Sequence, residues 1–467
     1  MRLHPRTLSL LGAACAVLSA GLASAWGQNP VAPALASLAQ AQPGVAPGGA
    51  PPATLTLQDA LARAQRYEPQ FLSAQSAARA AREDTVQART SLLPALGVKS
   101  DFLNTQGNGV FPSGRYVTND GVHLYREWGV LHQDLSPGTL AGTGVQRARA
   151  AEAVAQARAE IARRGLAVTV TKAYYALVVA QRKYATAQLA LTQAQQALKI
   201  TQDLENGGEA PHSDVVKAQI QSIAQDQTLR EAQLGMNNGR LDLAVLLSAD
   251  FDQNFQVVDD LHLAPALPPF PDVQTMARRQ NPDLRAAMDT VRGADLDVKI
   301  ARQAFLPSLT LDFDYGLEAN QLGWNTVVAG DPAKGPVPSV GYFLTASLNL
   351  PVWDWGARKS KVRQSEIRRD QANVELTATQ RLLVRNLTGF YDEAQTARDQ
   401  VDLLRQSADL ASENLRLNTL RYQAGEATIL ELVDAQNTQT QARNAYDDGL
   451  ARYRVALANL QTLTGGF

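Results

Sequence analysis

Two hydrophobic periods alternate along this chain, and each names an element. Leu383, Leu387, Phe390, Ala394, Ala397, Val401, Leu404, Ala408, Ala411, Leu415 and Tyr422 recur at alternating spacings of three and four, with the polar Asn418 in the same register. Such a heptad seam predicts a helix that winds around neighbours in a left-handed coil. A helix from about Gly356 to Tyr422 is on the order of 100 Å long at ~1.5 Å per residue, and its counterpart runs from about Gly138 to Leu204. Each is followed by a return helix of roughly 35 residues, ~50 Å long. Before each long helix the period drops to two. In "SLTLDFDYGLE", Leu309, Leu311, Phe313, Tyr315 and Leu317 share one face, with Thr310, Asp312 and Asp314 on the other. "YFLTASLNL" sets Tyr342, Leu344, Ala346, Leu348 and Leu350 against Thr345, Ser347 and Asn349. Earlier in the chain Leu96, Val98 and Phe102 oppose Lys99 and Asp101, and Val122, Leu124, Trp128 and Val130 oppose His123, Glu127 and Gln133, with Arg126 breaking the apolar face. Strands are thus expected at about 96–105, 122–135, 308–318 and 341–351. At about 10 residues each they have the length that crosses a bilayer at a tilt.

The same unit is written twice. Pro69 and Pro94 match Pro282 and Pro307 at a spacing of 213; Tyr174, Gly208, Asp214 and Gln219 match Tyr391, Gly425, Glu431 and Gln436 at 217. The expected organisation is a first repeat over 54–250, a linker over 251–269 that runs into the second repeat through the Pro-rich "LAPALPPFPD" (263–272), and a second repeat over 270–467. Long Gly- and Pro-rich loops, "GNGVFPSGRYVTNDG" and "QLGWNTVVAGDPAKGPVPSV", join the strands of each pair. Alternating strands more often make soluble hairpins with one face on a core. Here the rest of the chain is elongated helix, with little left to cover four apolar faces. Four strands are also too few to close a barrel, which needs ~8. Association of the chain with copies of itself follows, and three copies supply twelve strands.

The first residues change the setting. Arg2 and Arg6 precede an apolar run from about Leu8 to Leu22 and then Ala23-Ser24-Ala25, the pattern of a signal peptide cleaved after Ala25. A membrane anchor and a lipidated Cys15 are the rival readings. Residues 26–53 are Pro-, Ala- and Gly-rich and read as a flexible leader. No later stretch has the ~18 consecutive apolar residues of a spanning helix, so entry into a membrane would fall to the strands. Composition narrows the function: 44 Lys+Arg against 45 Asp+Glu leave no basic excess for a nucleic acid. Cys15 is the only cysteine, so a chain cut after Ala25 has no disulfide or thiolate chemistry.

Candidate chemistry is sparse. His4, His123, His132, His212 and His262 never fall at metal-ligand spacings. "AGTGV" (141–145) lacks the glycines and strand context of a dinucleotide loop, and no GK[ST] occurs. Asp312 and Asp314 read as polar lining of a wet lumen rather than paired catalytic acids. Gly207-Gly208 and Gly425 are expected to end the long helices in positive φ. Glu431 and Asp434, three apart, share a helix face at a helix start, where acids favour the dipole.

Duplicated "NPDL...FLPSL", the hairpin leading into "LPVWDWGARKSKV", and the closing "RYQAGEATILELVDAQNTQTQARNAYDDGLARYRVALANLQTLTG" resemble the TolC family, the outer membrane factors of tripartite efflux pumps and type I secretion systems. The resemblance implies a mainly α chain with a transmembrane β part. Three protomers would build a long periplasmic α-barrel and a twelve-stranded β-barrel, four strands from each. It implies a homotrimer in the cell outer membrane among its lipids, docking on a periplasmic adaptor (membrane fusion protein) fed by an inner-membrane transporter, with no cofactor and no enzymatic activity. By the same resemblance Asp214, Tyr422, Glu431 and Asp434 belong to the periplasmic aperture, and the turns at Gly207, Gly208, Glu209, Gly425 and Glu426 to the adaptor contact. Ala427 stands where the family's best-known member has an arginine that helps lock the aperture. The competing reading is a periplasmic coiled-coil adaptor or scaffold, soluble without detergent.

Overall fold

A computed structural model describes residues 53–104, 123–263, 265–319, 327–328 and 337–466. The expected signal peptide, the leader up to residue 52, Cys15, Val122 and most of the two long strand-joining loops lie outside the described residues.

The chain opens with strand β1 (Ala53–Leu55), helix α1 (Leu57–Tyr67) and helix α2 (Pro69–Thr90). Thr56 and Asp59 form a reciprocal capping box at the start of α1, and Glu68 caps α2, whose first residue is Pro69. Strands β2 (Ala95–Asn104) and β3 (His123–Asp134) follow, then the short α3 (Pro137–Leu140), the long α4 (Thr143–Asn206) and its return helix α5 (His212–Leu247). A strap with strand β4 (Phe255–Val257) leads to α6 (Phe270–Gln280) and α7 (Pro282–Gln303), the latter again with proline first and Asn281 as its cap. Strand β5 (Ser308–Ala319), the two-residue β6 (Val327–Val328) and β7 (Val337–Pro338), and β8 (Val340–Asn349) precede the long α8 (Ala357–Gln423) and return helix α9 (Ile429–Thr464). The two halves carry helices of matched length: 11 residues in α1 and α6, 22 in α2 and α7, 36 in α5 and α9. The long helices differ, 64 residues in α4 against 67 in α8. Among the described residues no helix is long and apolar enough to cross a membrane.

The linker expected between the halves is a packed strap. β4 pairs in parallel with β1, so the start of the described chain and the junction of its halves meet in one two-stranded sheet. Buried Tyr174 donates from its hydroxyl to the carbonyl of Val258, 2.7 Å away, and Tyr391 does the same to Pro268 at 3.2 Å. Arg182 completes the belt by pairing with Asp259 at 2.6 Å and with fully buried Asp447 at 2.7 Å. Nearby, Leu55, Val170, Leu177, Leu243 and Leu261 form the largest apolar cluster.

Seam positions of α8 point inward as the heptad requires. Leu383, Leu387, Ala394, Ala397, Ala408, Ala411, Leu415 and Tyr422 are buried. The lower helices stand side by side in the order α5, α4, α9, α8, and the upper ones in the order α2, α4, α7, α8. Both layers therefore have first-half helices at one flank and α8 at the other.

The four main strands form one antiparallel sheet, β2-β3-β5-β8, with β2 and β8 as edges that are unpaired among the described residues. Leu309, Leu311, Phe313, Tyr315 and Leu317 face Leu348, Ala346, Leu344, Tyr342 and Val340 across the ladder, one continuous apolar face. The register of β3 corrects the expected assignment of its sides. Directly opposed residues in an antiparallel ladder point to the same side. Trp128 opposes Gly316, Val130 opposes Asp314 and His132 opposes Asp312, so the even residues of β3 lie on the polar face. Leu131 and Tyr125 belong to the apolar face, beside Leu96 and Phe102. Arg126 then interrupts nothing: it pairs with Glu318 on the polar side at 3.1 Å, as His132 pairs with Asp312 at 2.5 Å. Gly316 explains how an indole fits there. A Cβ at this residue would come within 1.9 Å of the Glu127 carbonyl oxygen, so only glycine allows the approach. Trp128 is buried across this gap, against Phe343 at 5.0 Å between ring centroids.

Candidate gate at the helix turns

Both long helices end in the same backbone device. Gly208 and Gly425 take φ of +77° and +75°. The amides of Glu209 and Glu426 reach back to the carbonyls of Leu204 and Arg421, each at 2.8 Å. Those of Gly208 and Gly425 bond Glu205 at 2.9 Å and Tyr422 at 3.1 Å. This is the Schellman pattern, which closes the last carbonyls of a helix and needs a residue without Cβ at the turn. Gly207, by contrast, has an ordinary helical φ of -76°. Glu209 and Glu426 are exposed beside the two turns.

The side chains around the turns differ. At the second turn Thr428 caps α9, accepting from the Glu431 amide at 3.4 Å and donating to the Glu431 carboxylate at 3.3 Å. Arg421 approaches the same carboxylate at 3.5 Å. Glu431 is therefore engaged as part of a capping arrangement, while Asp434, one turn on, is exposed and its carboxylate makes no hydrogen bond among the described residues. Ala427 is partly buried against the apolar cluster of the tip, where it can supply no charge. At the first turn α5 begins after Pro211, which offers no side-chain cap, and Asp214 pairs with Lys217 at 3.1 Å. His212 faces Glu205 across the turn at 2.8 Å.

Tyr422 joins the two hairpins. It is buried among Ala197, Ala218, Leu415, Ile429, Leu432 and Ala435, drawn from all four lower helices. Its hydroxyl meets that of Thr201 at 2.6 Å. Burial raises the Tyr422 pKa, and the nearby charge of Asp214 raises it further. Asp214 thus sits within electrostatic reach of Tyr422, but the hydrogen bond goes to Thr201. A second link lies above it, where Gln221 of α5 donates to Asn437 of α9 at 2.9 Å. Of these contacts, only the Thr428 cap on the Glu431 amide has a local signal, the T-x-x-E spacing. Thr201 and Arg421 acquire their contacts through the bend of the chain and carry no local signal.

Residues 273–466, within the second half, match the family model described as outer membrane efflux protein. The chain is 25% identical over 337 residues to the outer membrane protein OprJ of Pseudomonas aeruginosa, covering 70% of this chain and 66% of that one. It is 24% identical over 405 residues to the outer membrane protein TolC of Vibrio cholerae, covering 85% and 87%. The chain is similar to outer membrane efflux proteins, through its second half in the family model and through most of its length in these relatives. Its fold agrees: the crystal structure of the outer membrane protein VceC of Vibrio cholerae superposes with a TM-score of 0.72 at 19% identity, over 88% of this chain and 96% of that one.

Proposed function

We propose that this outer membrane protein is the exit duct of a tripartite efflux or secretion system. It conducts passively, with no catalytic step, from a periplasmic adaptor and inner-membrane pump to the outside. The observation that carries the reading is the open four-stranded sheet. Its apolar face is uncovered, with Leu96, Val98, Tyr342 and Leu344 each at least 70% exposed, and both its edges are unpaired. Unpaired edges invite another chain. The edges differ, β2 on one side and β8 on the other, as do the helical flanks beneath them, so the contact is heterologous and closes as a ring. Three copies bring four strands each to twelve. The apolar face then turns to lipid, and Asp312, Asp314, Arg126 and Glu318 line a wet lumen.

In this arrangement six turns meet at the periplasmic end. Glu431 and Asp434 repeat around the axis as carboxylate rings that favour cations at the narrowest point. The Tyr422 to Thr201 bond and the Gln221 to Asn437 bond hold the two hairpins of a protomer together, and docking of an adaptor on the Gly208 and Gly425 turns splays them. The duplicated sequence supplies two similar but unequal turns for one such end.

Planar-bilayer conductance tests the acid rings: the detergent-extracted trimer is expected to prefer cations, and Glu431→Ala with Asp434→Ala to lose that preference. An unchanged preference would sink the assignment. A chain that stays soluble without detergent and inserts no channels would return the reading to a periplasmic coiled-coil scaffold.

A further inference from the structure

The junction between β8 and α8 breaks two local rules at once. Trp355 has φ of +57°, in the left-handed region that non-glycine side chains seldom occupy. Trp353 and Trp355, 72% and 89% exposed, stack edge to face at 5.7 Å with neither indole covered. The helix that follows opposes its own dipole. The first turn of α8 contains no acid, and Arg358, Lys359, Lys361 and Arg363 all come before the first acid, Glu366. Cations at a helix N-terminus are unfavourable unless an anion meets them. Asp354 neutralises only one of these bases, holding Arg358 at 3.0 Å, and Arg358 also donates to the carbonyl of Pro351. Lys361 turns to Gln364. Lys359 and Arg363, one helical turn apart on one face, are exposed with no partner. The corresponding junction of the first half, from Pro137 to Gly142, has no aromatic residue.

We infer that Trp353, Trp355, Lys359 and Arg363 form an interfacial site for the headgroup of an anionic phospholipid. The inference rests on the proposed membrane-spanning sheet, which puts residues 350–356 at the helix-side rim of the hydrocarbon layer. Indoles are favoured at that depth, where an apolar ring meets wet headgroups. Bases just beyond it attract anionic lipid, each changing binding about fivefold. Arg358, tied to Asp354 and Pro351, positions the loop rather than binding lipid. The site belongs to the second half alone, so each protomer contributes one.

The test uses the full chain in phosphatidylcholine vesicles carrying a minor fraction of brominated lipid, which quenches nearby indoles. Brominated phosphatidylglycerol is expected to quench more than brominated phosphatidylcholine. Lys359→Gln with Arg363→Gln is expected to weaken that selection about twenty- to thirtyfold and so remove the excess quenching. Equal quenching by the two lipids in the wild type, or an excess that survives in the double variant, overturns the inference. So does loss of the trimer in Trp353→Phe with Trp355→Phe, since the indoles would then be covered by a second copy of the chain. Ion conductance of the same vesicles separates the two readings. Vesicles that conduct but show no lipid preference remove only the lipid site, whereas vesicles that never conduct remove the channel itself.

Discussion

The two helix turns share a backbone and differ in almost everything attached to it. Gly208 and Gly425 have nearly the same φ, and each is followed within a few residues by a 36-residue return helix. Around the second turn the side chains close on one another: Thr428 caps, Glu431 accepts from its hydroxyl, Arg421 bridges to the same carboxylate, and Tyr422 is buried. Around the first, Asp203, Glu205, Glu209 and Asp214 are met by one lysine and one histidine, and α5 starts without a side-chain cap. Backbone geometry sets where a hairpin turns; side chains set whether the turn is self-contained or still has groups to satisfy. In the proposed duct the second turn is the built gate, and the first is the more open to an incoming partner.

Tyr422 is the sharpest point of difference. At the spacing of 217 residues its counterpart is Glu205, a half-buried carboxylate facing His212. Tyr422→Ala removes a ring packed by all four lower helices beside a cavity of about 190 Å³ lined by Leu415, Thr419 and Gln436. A buried aromatic truncated to alanine costs about 3–5 kcal/mol. We expect a several-fold rise in resting single-channel conductance and a lower melting temperature. Glu205→Ala, which removes only a part-exposed carboxylate and its contact with exposed His212, should stay within about 0.5 kcal/mol and leave conductance unchanged. Equal effects from the two variants would break the contrast between the turns.

The glycines test the opposite half of the comparison, where the turns should agree. A Cβ at Gly208 or Gly425 would meet no atom within 4 Å, so only the positive φ resists substitution. Gly208→Ala and Gly425→Ala should each cost about 1–2 kcal/mol. Thermal unfolding of the detergent-solubilised protein should show the same shift for both. A difference above about 1 kcal/mol would mean that side-chain packing, not backbone conformation, sets the stability of one turn.

Much of this architecture was legible in the sequence because it is carried by period. A heptad seam over forty residues admits one face, and α8 buries it. Strand limits fell within one or two residues of those observed, since alternation stops where Gly- and Pro-rich loops start. The sides of β3 were misread for a physical reason. Trp128 and Val130 are apolar and outvote Leu131 and Tyr125 in a single-strand reading, but the polar face of the sheet can hold an indole where the opposite residue is glycine. Only pairing with β5 identifies Gly316 as that residue. At the turns, Glu431 and Asp434 were visible as a helix-start pair, and Thr428 lay in capping register. The Tyr422 to Thr201 bond spans 221 residues and depends on how two hairpins pack, which no local spacing encodes.

The caps offer a finer test. Thr428→Ala removes the acceptor for the Glu431 amide, at a cost of about 1 kcal/mol. Hydrogen exchange of that amide should quicken about fivefold, because the opening that exposes it becomes easier by that amount. At the first turn the matching amide, Asp214, bonds the carbonyl of Pro211 at 2.9 Å. Pro211→Ala keeps that carbonyl, so exchange at Asp214 should not change. Quickening at both amides would mean that the first turn also relies on its flanking side chain.

The smallest expected effect lies farther up the long helices, where the halves also part company. Glu160 of α4 accepts from Arg163 at 2.7 Å and from Arg164 at 2.6 Å, and Arg164 donates onward to the Thr462 carbonyl of α9. The corresponding positions of α8, 217 residues on, are Thr377, Gln380 and Arg381, with no acid between them. The Arg163 hydrogen bond, helped by Arg164 against partial burial, lowers the Glu160 pKa to about 2 from 4.5. A depressed carboxylate stabilises the fold above its unfolded pKa, and that contribution fades as pH falls from 4.5 toward 2. The group is part-exposed, so solvent screening holds the effect to about 1 kcal/mol or less. Melting curves of wild type and Glu160→Gln should differ by a few degrees at pH near 7 and converge as the medium is acidified through that window. A constant difference across the window would assign the loss to packing of the glutamine and remove the ion pair from the contrast between α4 and α8.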